Sequence, residues 1–197
     1  MKGGADATSR TVDERSLTGV IEVGAVWLTA PMATVILRPW APEHLPLLLA
    51  ADTADMTRFL GGSEGEDAVL RRHQNYLRSR DGGQEWMFAI EADGEGAGGI
   101  GFWTTEHDGE AAYEVGWNVL PAWQGRGIAR EALSIVVDIL RSDVPPLPRA
   151  YAYPSVDNAP SNALCRSAGF ADHGERDFPF RGTVLRTRVW ALELHPA

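Results

Sequence analysis

The stretch Pro121–Leu133, PAWQGRGIAREAL, decides the fold because it joins a strand pattern to a helical one. The preceding YEVGWNV alternates like a strand, and apolar residues in the following IAREALSIVVDILRS repeat at helical spacing. Gly125 and Gly127 permit torsions that larger residues avoid. Backbone N–H groups at such a junction converge on an anion, the helix dipole adds attraction, and Arg126 and Arg130 add charge. The junction predicts a phosphate-binding loop; a glycine-rich helix cap without a ligand is the alternative.

Length and composition set broad limits on the protein. A chain of 197 residues, 44% hydrophobic and 23% charged, is typical of one sizeable globular domain, with or without a tail. A formal net charge of -9 excludes broad, sequence-independent binding of nucleic acid, which needs a basic surface. The acidity also favours a cationic or amine-bearing partner mildly, although simple solubility is the stronger explanation.

The sequence predicts a cytoplasmic protein without a membrane segment. Cys165 is the single cysteine, so no intrachain disulfide forms. No apolar run approaches the length that spans a membrane, and the N-terminus lacks the apolar core of a signal peptide. Residues 1–31 are predicted to be an extension, either partly disordered or forming an additional edge strand through VIEVGAVWL. Met32 is a candidate natural start, and residues 32–197 form the predicted domain.

The pattern along the chain predicts an α/β (α+β) fold with one mixed sheet and helices on both faces. Strand patterns occur in TVILRPW, QEWMFAIEA, GGIGFWTTE, AAYEVGWNV, RAYAY and TRVWALEL. Helical patterns occur in PEHLPLLLAADTADMTRFL, EDAVLRRHQNYLRSR, IAREALSIVVDILRS and APSNALCRSAGF. In the second of these helices Val69, Leu70 and Leu77 are predicted to face the core. Gly169 is predicted to end the last helix in a left-handed cap.

Two motif matches are rejected on their context. GEGAGG fits a dinucleotide fingerprint through Gly94, Gly96 and Gly99, but a strand pattern follows it where a helix is required. GGSEG fits a nucleophile elbow, but no buried strand precedes it, and Ser63 is predicted instead to cap the following helix. The five histidines and one cysteine show no metal-ligand spacing, so no metal site is proposed.

Several motifs together resemble the GNAT superfamily of acyl-CoA-dependent N-acyltransferases. QGRGIA at residues 124–129 matches the family signature Q/R-x-x-G-x-G/A, within a longer similar stretch EVGWNVLPAWQGRGIAREAL. TVILRPWAPEHLPLLL, TRFLGG and DNAPSNALCRSAGF resemble the branch that contains the ribosomal-protein N-terminal acetyltransferases. The resemblance covers about residues 34–194. It implies a single domain whose sheet has a V-shaped split between strands 4 and 5, with acetyl-CoA as cosubstrate.

The resemblance also implies which residues hold the cosubstrate. Backbone groups on the central strand would bond the pantetheine arm, N–H groups from Gly125 to Arg130 would hold the pyrophosphate, and Asn158 would contact the cofactor. The implied cofactor-binding set is Trp117, Asn118, Val119, Gln124, Gly125, Arg126, Gly127, Ile128, Ala129, Arg130, Asn158 and Ser161.

Acetyl transfer from a thioester to an amine requires a neutral amine, a stabilised oxyanion and a protonated leaving thiolate. By position, Glu114 matches the general base of some relatives, and burial would adapt its pKa to that role. The resemblance assigns the oxyanion donor to the N–H of Val119. Cys165 stands where many relatives carry a tyrosine acid, so Ser161 is preferred as the donor to the sulphur. For Glu114 and Ser161, purely structural roles remain the alternatives.

The acceptor is the least constrained part of the hypothesis. Trp86, Trp103 and Trp117 are candidates for an aromatic acceptor pocket, with core packing as the alternative. The prediction is an N-acetyltransferase for a primary amine, either a protein or peptide N-terminus or a small molecule. A non-catalytic acyl-CoA-binding sensor or interaction module on the same fold is the other function considered. Members of this family often form dimers, so the resemblance implies that a homodimer is possible, but no interface is identified in the sequence.

Overall fold

A seven-stranded mixed sheet organises the computed structural model, which describes residues 33–82 and 85–195. The predictions for residues 1–31 and for Met32 lie outside these ranges. The strands are β1 Val35–Pro39, β2 Glu85–Ala92, β3 Glu95–His107, β4 Glu110–Val119, β5 Arg149–Ala152, β6 Ala171–Phe180 and β7 Thr183–Glu193. The α-helices are α1 Leu45–Ala51, α2 Glu66–Gly82, α3 Ile128–Ser142 and α4 Ala159–Ser167, and short 3-10 turns cover Pro42–His44 and Pro121–Trp123.

The strand order β1-β2-β3-β4-β5-β7-β6 places a split in the middle of the sheet. All neighbours pair antiparallel except β4 and β5, which run parallel. Their register holds for only two pairs, Tyr113 with Ala150 and Glu114 with Tyr151. Beyond these pairs β4 continues to Val119, and none of the seven described strands pairs with it on that edge. The mixed sheet and the V-shaped split between strands 4 and 5 are therefore confirmed.

The two faces of the sheet carry separate apolar clusters. Helix α3 contributes Ile128, Ala132, Leu133, Val136 and Leu140 to the larger cluster. On the opposite face, Trp40, Leu48, Val69 and Ala89 form the cluster beneath α1 and α2.

The inner stripe of α2 differs from the predicted one at a single position. Val69 is fully buried and Leu77 packs against its cluster, but Leu70 is 37% exposed. His73 is the buried residue one turn beyond Val69, and its Nδ1 accepts a hydrogen bond of 3.1 Å from the indole N–H of Trp40. A polar residue with a buried partner takes the core position, which apolar periodicity cannot anticipate.

Strand β6 was missed by the sequence pattern. Its segment ADHGERDFPF is exposed at nearly every residue, since it forms the outer edge of the sheet beside β7. Charged side chains and a proline are typical of such edge strands because they prevent further pairing. With no buried face, the segment shows no alternation of apolar and polar residues.

The loops behave partly as predicted. Asp93 and Gly94 form the tight turn between β2 and β3, so GEGAGG is a hairpin rather than a cofactor fingerprint. Ser63 is not the cap of α2, which begins three residues later. Its hydroxyl donates to Asp52 Oδ2 at 2.6 Å, and the N–H groups of Glu64 and Gly65 bond to the same carboxylate.

No helix among the described residues has the length and apolarity needed to cross a membrane.

Close packing of β3 against β4 gives a test of the fold. A Cβ on Gly98 would lie 2.2 Å from the carbonyl oxygen of Asn118, whereas one on Gly99 would come no nearer than 3.4 Å to any atom. Gly98→Ala should therefore lower the free energy of unfolding by about 3 kcal/mol, the upper range for overpacking. Gly99→Ala is the matched control, with a cost below about 1 kcal/mol. Chemical denaturation measures both, and equal costs would contradict this strand spacing.

Candidate active site

Five consecutive backbone N–H groups at the start of α3 have no hydrogen-bond acceptor within the described part of the chain. They belong to Gly125, Arg126, Gly127, Ile128 and Ala129. The N–H of Arg130 differs, because it already donates to the carbonyl of Gly127 at 3.0 Å. Gly125 and Gly127 have φ of 73° and 79°, a left-handed conformation that suits glycine. Free amides at a helix N-terminus are able to bind an anion, and binding of a diphosphate at this row stays a prediction.

The two arginines of the loop have different surroundings. The guanidinium of Arg126 lies 4.6 Å from the ring centroid of Trp123 and bonds to Asp93 at 3.0 Å. Arg130, on the first turn of α3, makes no ion pair with any residue in the described ranges and is exposed. Arg130 is therefore the cation of this loop whose charge is not already matched.

Gln124 connects the loop to the end of β4. Its side-chain N–H donates to the carbonyl of Val119 at 2.8 Å, and the same nitrogen lies 3.5 Å from the sulphur of Met56. The next amide along the chain, that of Leu120, donates in the opposite direction to Ala97 of β3. The side chain of Gln124 thus helps to orient the peptide group between Val119 and Leu120.

The end of β4 offers backbone groups to the split. Trp117, Asn118 and Val119 pair with β3 on one edge, and no strand within the described ranges pairs with them on the other. The N–H and C=O of one strand residue point to the same edge. Because the carbonyl of Val119 meets Gln124 away from β3, the N–H of Val119 points into the split as well. The indole of Trp117 packs on the α3 side of the sheet.

Helix α4 brings Asn158 and Ser161 to the end of β5. Asn158 is the N-cap, and its Oδ1 accepts the N–H of Ser161 at 3.2 Å. The side-chain amide of Asn158 and the hydroxyl of Ser161 have no further partner among residues 33–82 and 85–195, so both groups are available to a ligand. Cys165, one turn later, is fully buried, and burial raises the pKa of its thiol to about 12. A thiol in that environment is a core group.

Glu114 lies at the apex of the split, as the last residue of β4 that pairs with β5. Its carboxyl group is largely buried and no described arginine, lysine or histidine forms an ion pair with it. Burial raises its pKa to about 7, against a smaller opposing effect from a hydrogen bond with the Trp103 side chain. The carboxyl group is thus poised to accept a proton near neutral pH.

A row of aromatic side chains extends from Glu114 on the same face of the sheet. The ring centroids of His107 and Tyr151 are 4.0 Å apart, those of Tyr151 and Tyr153 6.0 Å, and those of Tyr153 and Phe178 6.3 Å. His107 Nδ1 and the Tyr153 hydroxyl are 2.8 Å apart. We call His107, Tyr151, Tyr153 and Phe178 the aromatic row.

Sequence reasoning found only part of this surface. Trp103 does share a face with Glu114, its register partner on β3. Trp86 and Trp117 instead pack into the α3 cluster, and Trp86 stacks on Phe102. The strand alternation of RAYAY, continued past β5, could have placed Tyr151 and Tyr153 on one face. Phe178 lies on the strand that the sequence pattern missed.

The loop between α1 and α2, residues 52–65, forms a roof over the split. Met56 lies beside Gln124 at the end of β4. Near its other end the loop reaches the β6–β7 hairpin, where Glu64 bonds to Arg181 at 2.5 Å and also to Arg72. Since β5 and β7 lie between β4 and β6, the loop spans the opening.

The comparison with known proteins agrees with this geometry. A family model described as an acetyltransferase (GNAT) domain matches residues 34–171, more than half of the chain. The chain belongs to the GNAT acetyltransferase family. The predicted superfamily is thus confirmed, and so, at the level of the family, are the predictions of an acetyltransferase and of acetyl-CoA as its cosubstrate.

Solved structures show the same GNAT fold. One is an acetyltransferase from Salmonella typhimurium that modifies the N-terminal serine of ribosomal protein L7/L12, with 22% identity, a TM-score of 0.68, and coverage of 81% of this chain and 95% of that one. A second is a spermidine N-acetyltransferase from Vibrio cholerae in complex with CoA and spermine. Its sequence identity is 16% and its TM-score 0.68, with coverage of 81% of this chain and 95% of that one. A third is an aminoglycoside acetyltransferase in complex with coenzyme A. Its sequence identity is 16% and its TM-score 0.66, with coverage of 81% of this chain and 95% of that one.

Burial of Glu114 makes stability depend on pH. Its pKa is about 7 in the folded chain and near the ordinary 4.5 when unfolded, so the folded state binds the proton more tightly. The stability this gives is complete below pH 4.5 and is lost as the pH rises through 7. Relative to Glu114→Gln, the free energy of unfolding of the wild type should fall by about 3 kcal/mol between about pH 4 and pH 8.

Denaturation of both proteins across that pH range measures this difference. Glu106→Gln, an exposed carboxylate on the neighbouring strand, is the control and should follow the wild type. A constant difference between wild type and Glu114→Gln would show that the carboxyl group is not buried as described.

Proposed function

We propose that this protein transfers the acetyl group of acetyl-CoA to a primary amine by direct attack in a ternary complex. The observation that carries the proposal is the row of five unpaired amides, Gly125 to Ala129, placed beside a sheet split that holds a buried carboxyl group at its apex. Solved neighbours of the same fold act on a protein N-terminus, on spermidine and on aminoglycosides. Primary amines are common to all three.

The cosubstrate fits the groups that the split leaves without partners. The amide row and Arg130 would hold the pyrophosphate of acetyl-CoA, with charge-assisted bonds that are stronger than neutral ones. The free edge of β4 from Trp117 to Val119 would bond the pantetheine arm as an added strand does. The side-chain amide of Asn158, on the opposite side of the split, is available to the same arm.

The chemistry follows from the three groups around the split. Glu114 accepts the proton of the attacking amine, directly or through water, which a carboxylate with a pKa of about 7 does efficiently near neutral pH. The N–H of Val119 stabilises the oxyanion of the tetrahedral intermediate. Ser161 donates a hydrogen bond to the departing sulphur, since Cys165 is buried and unsuited to the task.

A non-catalytic acyl-CoA-binding module is the other candidate function. The buried Cys165, at the position where many relatives carry a tyrosine, is the observation in its favour. Such a module would bind acetyl-CoA and release no CoA with any amine, whereas the enzyme requires both binding and turnover.

Binding of coenzyme A tests the phosphate loop. Arg130→Ala should weaken binding by about 10- to 100-fold, because one charge-assisted contact contributes roughly 1.5–3 kcal/mol. Arg141→Ala is the matched control, since Arg141 is an exposed arginine on the last turn of the same helix. Isothermal titration calorimetry measures both. If wild-type protein binds no coenzyme A, or if both variants bind equally, the proposed loop is wrong.

The pH dependence of turnover tests the roles of Glu114 and Ser161. For the wild type, kcat/KM should rise with pH through an apparent pKa of about 7, as the carboxyl group loses its proton. Glu114→Gln should lower kcat about 100-fold and remove that titration. Ser161→Ala should lower kcat while keeping the wild-type pH profile, because the serine does not titrate. CoA release is the assay, and an unchanged profile in Glu114→Gln would exclude the base.

A further inference from the structure

The charges around the split point to the class of acceptor amine. On the elements that frame the Glu114 face, Asp55, Glu64, Asp108 and Glu110 each meet an arginine in the described structure. Asp52 is held by a hydroxyl and two backbone amides. These carboxylates are already matched and do not need a substrate cation.

The remaining carboxylates point elsewhere. Glu106 and Asp177 have no ion pair in the described ranges, but strand alternation puts Glu106 opposite His107 and Asp177 opposite Phe178. Asp157 lies exposed on the turn before α4. On β4 to β7 and in the 52–65 loop, Glu114 is thus the one carboxyl group of this face that has neither an ion pair nor backbone hydrogen bonds among the described residues. A polyamine or an aminoglycoside requires several unmatched carboxylates in its binding site, because each buried ammonium group needs a partner of opposite charge.

The aromatic row continues from the place where the amine would sit. Tyr151 is the register partner of Glu114, and Tyr153 follows two residues later, about 7 Å further along the strand. Phe178 stacks on the half-buried Tyr153 and is itself 40% exposed on the edge strand β6. An exposed aromatic ring beside a roofed opening offers a flat apolar surface to a ligand.

The polar groups within the row carry no competing positive charge. Burial lowers the pKa of His107, against a smaller opposing effect of Asp108, so the imidazole is neutral near pH 7. Two guanidinium groups lie near the row, and both are matched by carboxylates. Arg176 pairs with Asp108 at 2.8 Å, and Arg149, which also contacts the Tyr151 side chain, pairs with Glu110 and Glu193. The rings beyond Glu114 are therefore not accompanied by an unmatched positive charge from these arginines.

We propose, on the basis of the acetyltransferase function above, that the acceptor is a primary monoamine whose nitrogen is joined by a short chain to a flat ring. The amine lies at Glu114, and the ring packs against Tyr153 and Phe178 beneath the α1–α2 loop. This arrangement occurs in free arylalkylamines and also at a peptide N-terminus whose first residue is aromatic. The two sources share the chemistry that the site recognises.

The test compares amines on the full-length protein with saturating acetyl-CoA. We expect kcat/KM for 2-phenylethylamine to exceed that for butylamine and for 1,4-diaminobutane by about tenfold. A tripeptide amide that begins with Phe, compared with one that begins with Ala, distinguishes the peptide source from the free amine. Higher kcat/KM for 1,4-diaminobutane than for 2-phenylethylamine would overturn the proposal.

A matched pair of variants locates the ring. Phe178→Ala should lower kcat/KM for 2-phenylethylamine about tenfold and leave that for butylamine unchanged. Val184→Ala is the control, because Val184 is 62% exposed on the opposite face of the same hairpin. Equal effects of Phe178→Ala on both amines would show that Phe178 does not contact the ring.

A binding measurement separates this inference from the proposed function. Saturation-transfer NMR on the CoA-loaded protein reports contact with the ring protons of 2-phenylethylamine without requiring turnover. Ring contact that is lost in Phe178→Ala, together with no acetylation of any amine, would overturn the enzymatic function but support the aromatic site. Acetylation of butylamine without any ring contact would support the function and overturn this inference.

Discussion

The early parting of β4 and β5 is the constraint on which the rest of the structure depends. A parallel pair inside a sheet normally continues its hydrogen bonds along both strands, but here the register ends after Glu114 and Tyr151. Pro154 soon follows β5, and α3 packs beneath β4. The result is a strand edge in the middle of a sheet, a place where unpaired backbone groups are costly unless water or a ligand reaches them. The candidate catalytic groups take their positions from this opening.

At two places in the site, groups lack the partners that would stabilise the fold, and this lack would favour binding or reaction. The amide row at the start of α3 keeps five donors without acceptors in the described structure, and these donors would be satisfied by an anion. Glu114 lies largely buried without an ion-pair partner among the described residues, and the unfavourable burial of its charged form is what brings its pKa to about 7. A compensating arginine would stabilise the fold and lower that pKa, which would weaken the carboxylate as a base. Such compromises are expected where a protein acts on a substrate.

Local patterns predicted much of this fold, and tertiary partners explain the remainder. Helix α3 and the turn before it were predictable, because strong amphipathic periodicity and two glycines belong to the segment itself. The inward position of His73 depends on the Trp40 indole, 33 residues away, and the role of Ser63 depends on Asp52. Edge strand β6 buries no face, so its sequence carries no period to detect. Phe178 contacts Tyr153 only because β6 lies beside β7 in the folded sheet, and for this reason the aromatic row was not predicted.

Gln124 links the loop that covers the split to the end of β4. One side-chain nitrogen touches both the sulphur of Met56, in the α1–α2 loop, and the carbonyl of Val119, at the end of β4. The far side of that loop is held by the ion pair between Glu64 and Arg181. A change in the position of the loop would therefore alter the contacts of the side chain that orients the Val119 carbonyl. The α1–α2 loop and the last peptide group of β4 are linked through a single amide.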